Sequence, residues 1–122
     1  MDKRILIDAG IDYDNAMKRL NNNVSLYEHI LKAYLTDRCY DELREVVNTK
    51  DYTQLFIKAH ALKGVSGNLD LTGLYVTTCN LVEYARNNND IRHERVFSFF
   101  REIEMYYHRS IEAINNAMNN AL

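Results

Sequence analysis

Residues 55–69, with the sequence LFIKAHALKGVSGNL, carry the clearest helical pattern of the chain. The small and apolar residues of this stretch recur at alternating intervals of four and three positions, which places them on one face of an α-helix. This face, here called the central stripe, consists of Leu55, Ala59, Leu62, Ser66 and Leu69. The pattern predicts a helix that buries the central stripe against neighbouring helices.

The same helical period continues on both sides of this stretch. The sequence predicts four bundle helices, at about residues 25–49, 51–69, 70–86 and 91–118. A short helix at about residues 12–20 precedes them. Asp12 or Asp14 is expected to cap the short helix, and Ser25 to open the first bundle helix. Because the breaks are short, consecutive helices should be antiparallel neighbours. The predicted fold is all-α, an antiparallel up-down four-helix bundle with a short extra N-terminal helix, in one domain of residues 1–122.

Composition limits the class of protein. The chain has 122 residues, of which 47% are hydrophobic, so it can form a core and is not disordered. It has no proline and four glycines, which disfavours a turn-rich β-sandwich or barrel. A net charge of −2 without a concentrated basic face argues against nucleic-acid binding. With no signal peptide, no membrane span and two cysteines expected to be reduced, the expected location is the cytoplasm.

One histidine points away from the predicted core. On a helical wheel His60 lies about 140° from the centre of the central stripe, Lys63 about 80° and Gly64 about 180°. Each glycine inside a helix costs about 1 kcal/mol relative to alanine. Gly64 faces away from the core, so its missing side chain is better explained by access to His60 than by close helix packing.

This arrangement suits phosphoryl chemistry. The neutral ring nitrogen of histidine is a good nucleophile near neutral pH, and a nearby lysine favours an arriving phosphoryl group. Hydrolysis is not expected, because no carboxylate pair or means of activating water accompanies His60. No metal site is expected either, because the sequence has no His-x-x-x-His or Glu-x-x-His pair, whose ligands would converge on one helix face.

Residues 60–69, HALKGVSGNL, resemble the His-x-Leu-Lys-Gly-x-Ser-x-x-Leu signature of histidine-containing phosphotransfer (HPt) domains, the phosphorelay modules of two-component signalling. The resemblance covers almost the whole chain. Residues 10–20 are similar to the opening of many such domains, and residues 81–86 to the end of their fourth helix. In many members glycine stands where this chain has Asp70, which is expected to open the following helix as its cap.

The resemblance implies a function and partners. His60 would be the phosphorylated residue, Lys63 would assist the phosphoryl group, and Gly64 would leave room for the partner's active site. The partners would be response-regulator receiver domains and a hybrid histidine kinase. The receiver domain supplies the acidic pocket and the Mg²⁺, so this chain would be a phosphocarrier, not an enzyme, with no cofactor of its own. A monomer is expected, either as a stand-alone protein or as a domain cut from a larger one.

Three further residues of the same stretch need an interpretation. Phe56 lies about 40° from His60 on the wheel and is either an exposed docking contact or the margin of the core. Lys58 is expected to be a solvated flank, and Ser66 to bond a backbone carbonyl.

Two other classes of function stay open. The first is a helical adaptor that is not phosphorylated and only docks partner proteins, and the second is a small subunit of a larger assembly.

Overall fold

The structure is a computed structural model of the chain, and it describes residues 1–86 and 89–120. Within these residues the chain is all-helical, as predicted, with seven α-helices and no β-strand. The helices are α1 (Lys3–Asp8), α2 (Tyr13–Arg19), α3 (Val24–Tyr34), α4 (Cys39–Thr49), α5 (Leu55–Asn68), α6 (Thr72–Arg86) and α7 (His93–Asn119). None of the helices in the described part combines the length and apolar character that crossing a membrane requires.

The last four helices contact one another in a closed order. α5 lies between α4 and α6, and α7 contacts both α6 and α4. α1 packs along α7, while α2 joins α1 to α3. The helix with the histidine motif therefore has a packed neighbour on each side and one remaining outward face.

The central stripe forms the buried face of α5. Leu55, Ala59, Leu62 and Ser66 have no exposed surface, and Leu69 is 5% exposed. Their spacing therefore predicted the inward face of this helix correctly. Fully burying a leucine side chain contributes about 1.5–3 kcal/mol, so this stripe fixes the rotation of α5 about its axis.

Aromatic rings join α4 to α7. The ring of Tyr40, which is 2% exposed, stacks on Tyr107 with the centroids 3.7 Å apart and the planes inclined by 5°. The ring of Phe100 also stacks on that of Tyr40, with the centroids 5.7 Å apart. These rings bring the long last helix back against α4.

The predicted helix at residues 25–49 is wrong, because the chain forms two helices there. α3 ends at Tyr34, and α4 begins at Cys39. In the break, the Thr36 hydroxyl donates to the Ala33 carbonyl at 3.1 Å, and the Asp37 carboxylate accepts from the Cys39 N–H at 2.8 Å. Such local side-chain bonds compete with the helical backbone pattern.

The N-terminal ends of the helices also differ from the prediction in part. Asp12 caps α2 by accepting from the Asn15 N–H at 3.1 Å, which decides between the two predicted caps. α3 is capped by Asn23, not opened by Ser25. The six-residue α1 was not predicted. A helix this short is unstable alone, and it depends on packing against α7 through the buried Leu6.

The turn between α5 and α6 is fastened to α2. Asp70 has φ 59° and 9% exposure. Its carboxylate accepts from Asn15 Nδ2 at 2.6 Å and forms an ion pair with Arg19, while its carbonyl accepts from the Asp12 N–H at 3.0 Å. The expectation that Asp70 caps α6 is therefore wrong, because its carboxylate is engaged by α2.

A second contact holds the same turn from α3. The hydroxyl of Tyr27, a fully buried residue, donates to the Leu69 carbonyl at 2.9 Å. Burial, with a smaller contribution from Asp70, raises the pKa of this phenol above its ordinary value, so it stays protonated as a donor. The N-terminal helices thus position the end of α5.

The Asp70 arrangement predicts an order of stabilities. Asp70→Ala should lower the free energy of unfolding by about 2 kcal/mol, because it removes the ion pair and, unlike glycine, leaves a β-carbon at a left-handed φ. Asp70→Gly should lower it by about 1 kcal/mol, because glycine accepts this φ without strain. Urea unfolding of both variants measures the difference. Equal losses would show that the backbone conformation does not matter here.

Arg19→Met is the matched control for the ion pair. It should cost about as much as Asp70→Gly, and the double variant should cost less than the sum of the two, because both remove the Arg19–Asp70 ion pair. The remaining contacts are not shared, since Asp70→Gly also removes the bond from Asn15 and Arg19→Met the bond to the Asn68 carbonyl. Additive losses would contradict the proposed pairing.

Candidate functional site

A cleft of about 510 Å³ opens where α5 meets α6 and α2. Three of the predicted site residues line it, namely His60, Lys63 and Gly64. The structure therefore brings them to one surface, whereas Phe56, the fourth, is not among the lining residues. The other walls come from the end of α5, the turn to α6, two residues of α6 and one of α2: Ser66, Gly67, Asn68, Asp70, Leu71, Thr72, Tyr75 and Asn15.

His60 is exposed on α5, as its wheel position predicted. Its ring lies against that of Phe56, four residues earlier, with centroids 5.6 Å apart and planes inclined by 41°. Side chains on an α-helix lean toward its N-terminus, which is why a ring at position 60 meets one at position 56. The imidazole is thus supported on one side and accessible from the cleft.

Lys63 stands one turn after His60 and is half-buried. None of the ion pairs among residues 1–86 and 89–120 involves it. Lys58 behaves differently: its Nζ lies 3.4 Å from Glu42 Oε1 on α4, so the expectation of a solvated flank is wrong. Lys63 is left to present its charge to the cleft.

The glycines of this region have two different roles. A β-carbon added to Gly64 would meet no atom within 4 Å, so nothing inside the protein requires glycine there. A β-carbon at Gly67 would lie 3.1 Å from the ring of Tyr75, and one at Gly73 would lie 2.5 Å from the ring of Tyr106. Close packing therefore explains Gly67 and Gly73 but not Gly64.

Ser66 is engaged by the helix backbone. Its hydroxyl donates to the Leu62 carbonyl at 2.9 Å and lies 3.1 Å from the Lys63 carbonyl. The prediction of a backbone bond is confirmed, and these bonds hold the fully buried hydroxyl against its own helix.

Tyr75 was missed by sequence reasoning. It is 38% exposed on α6, covers Gly67 and forms one wall of the cleft. A hydrogen bond with Cys79 raises the pKa of its phenol above the ordinary value. Sequence reasoning also missed Asn15. Tyr75 lies on α6 and Asn15 on α2, and only the packing of these helices against α5 brings the two residues to the cleft.

The other histidines lie in different surroundings. His93 bonds the Tyr52 hydroxyl through Nδ1, and His108 lies edge-on to Tyr40. His29 is exposed on α3. In the part of the chain that the structure describes, no three His, Cys, Asp or Glu side chains converge as metal ligands would.

No protein-family model matches the sequence, and comparisons with curated proteins and with solved structures find no significant match. The function is therefore argued from the residues of the cleft and from the motif that contains His60.

The open space at Gly64 predicts a gain in stability on substitution. Gly64→Ala should raise the free energy of unfolding by up to about 1 kcal/mol, because alanine is the better helix former and its β-carbon meets nothing. Thermal or urea unfolding measures this. A lower melting temperature would show that glycine is needed at position 64 for packing.

Gly73→Ala is the matched control, since Gly73 is also a helical glycine. Its new β-carbon would press on Tyr106, so this variant should lose about 1–3 kcal/mol. A gain in both variants would mean that helix propensity alone decides the outcome at both positions.

Proposed function

We propose that this chain is a phosphorelay carrier of the HPt type, which accepts a phosphoryl group on His60 and exchanges it with an aspartate of a response-regulator receiver domain. One observation carries the proposal. His60 stands exposed beside an open cleft, one turn from Lys63, which forms no ion pair within the described part of the chain, and next to an unfilled approach at Gly64.

The transfer needs only a nucleophile from this chain. The unprotonated ring nitrogen of His60 attacks the phosphorus of the receiver's aspartyl phosphate, and an N–P bond forms. The P–O bond to the aspartate breaks, and its electron pair leaves with the carboxylate. The other ring nitrogen keeps its proton. The reverse reaction returns the phosphoryl group, so His60 works as a carrier in either direction.

Lys63 stabilises the phosphorylated state. Phosphorylation of His60 adds negative oxygens to the cleft, and a cation one helical turn away attracts them. Because Lys63 is half-buried, solvent screens its charge less than that of a fully exposed lysine. The charge therefore favours both the arrival of the phosphoryl group and its retention.

Gly64 keeps the imidazole accessible. A side chain at position 64 would lean toward the N-terminus of α5, over the turn that holds His60. Because a β-carbon there meets no atom of the described residues within 4 Å, the space is open to a group that approaches from outside. We infer that the approaching group is the active site of the receiver domain, which supplies the acidic pocket and the Mg²⁺.

The remaining helices serve as a rigid platform. We infer that α4, α5, α6 and α7 make up the four-helix bundle of such carriers, since each packs against two others in the order described above. α1, α2 and α3 then replace the single extra helix of the sequence prediction. A hybrid histidine kinase is the inferred source of the phosphoryl group, and a reduced cytoplasm is the inferred location, in keeping with the free Cys39 and Cys79.

The first test of this function is the acceptor. His60→Gln should abolish uptake of an acid-labile, base-stable phosphoryl group from a phosphorylated receiver domain. Its free energy of unfolding should change by less than about 0.5 kcal/mol, because the side chain is exposed. Phosphate labelling and thermal melts of the same samples provide both measurements.

His29→Gln is the control, since His29 is likewise exposed on a helix but lies on α3. It should keep full uptake. Uptake that persists in His60→Gln would place the acceptor elsewhere, and no uptake by the parent chain would favour the docking-only adaptor.

The second test concerns Lys63. Lys63→Ala should slow transfer about tenfold or shorten the lifetime of phosphorylated His60, because a charge-assisted interaction is worth about 1.5 kcal/mol or more. Lys63→Arg keeps the charge and should retain most of the rate. Single-turnover transfer and dephosphorylation rates measure both effects. Equal rates in the alanine variant and the parent would remove Lys63 from the site.

A further inference from the structure

Phe56 supports His60 instead of facing the cleft. It is half-buried on α5 and packs against the hydrophobic core. The centroid of its ring lies 5.6 Å from that of the His60 imidazole. Of the two roles that the sequence left open for Phe56, docking contact and core margin, this position favours the second.

Phe56 is itself held in place by α6. The guanidinium carbon of Arg86, the last residue of that helix, lies over the ring at 5.5 Å from its centroid. An arginine in this position attracts the electron-rich face of the ring. Phe56 is therefore fixed by the core and by α6 before any partner arrives.

A fixed ring at this position limits where the imidazole can lie. A histidine side chain in an α-helix adopts one of two χ1 rotamers, near 180° or near −60°. Contact between side chains four residues apart favours the rotamer in which they meet. His60 would otherwise have to be ordered during the reaction, which slows a bimolecular step.

We propose that Phe56 is a positioning residue, which holds the imidazole of His60 in one rotamer at the edge of the cleft, within reach of the same anion as Lys63. The inference rests on the proposed function for its kinetic consequence. Its structural part, the single rotamer of His60, does not depend on that function.

The test uses phosphoramidate, a small donor that can phosphorylate histidine with loss of ammonia. It has no protein surface, so a residue needed only for docking would not affect its reaction. Phe56→Leu should slow phosphorylation of His60 about threefold to tenfold per folded molecule. Phe56→Tyr should keep the parent rate, because tyrosine retains the aromatic ring. The χ1-dependent NMR couplings of His60 should indicate one rotamer in the parent and in Phe56→Tyr, and an average in Phe56→Leu.

Phe99→Leu is the matched control. Phe99 is also half-buried, lies 5.4 Å from the ring of Tyr84 and has the Arg95 guanidinium 5.1 Å from its centroid, but it does not line the cleft. It should leave the rate and the His60 couplings unchanged. If Phe56→Leu does not fold, Phe56→Met replaces it, since methionine fills irregular space well.

The outcomes separate the positioning role from the proposed function. The positioning role is supported if Phe56→Leu shows both slower phosphorylation and averaged couplings, and Phe56→Tyr shows neither. A change in only one of the two readouts, or in neither, overturns it. If the parent chain takes up no phosphoryl group from phosphoramidate or from a phosphorylated receiver domain, the proposed function fails, and the couplings alone then decide whether Phe56 orients His60.

Discussion

Burial of the central stripe between α4 and α6 is the interaction on which the rest of the structure depends. Leu55, Ala59 and Leu62 have no exposed surface, so α5 cannot rotate without exposing them to water. That rotation sets the direction of every other residue on the helix. It places His60 and Gly64 outside, on the face that lies away from the core. The site is therefore a consequence of core packing.

The end of α5 is fixed by a separate set of polar contacts. Asp70 holds the turn to α6 in a left-handed conformation and is in turn held by Asn15 and Arg19 from α2. Tyr27 adds a bond to the Leu69 carbonyl from α3. These contacts close one end of the cleft next to the histidine. The N-terminal helices thus shape the site as well as cover the core.

Around His60, the protein combines support on one side with open space on another. Phe56 and Arg86 fill the side toward the N-terminus of α5, whereas Gly64 leaves the next turn unfilled. The proposed phosphoryl transfer would need both properties, since a loose ring reacts slowly and a covered one is not reached. The half-buried Lys63 adds a positive charge at the same place.

Residue spacing was enough to predict the helical class, the buried face of α5 and the outward direction of His60 and Gly64, because the period of an α-helix can be read along each segment. It did not determine the break between α3 and α4, where the bonds of Thr36 and Asp37 outweigh a continuing apolar period. Only the tertiary structure decided which residues of other helices meet the motif, since Tyr75 and Asn15 reach the cleft through packing between distant segments and carry no local signal. The tertiary structure also distinguished Gly64 from Gly67 and Gly73, because whether an added β-carbon meets a ring or open space depends on the neighbouring helix.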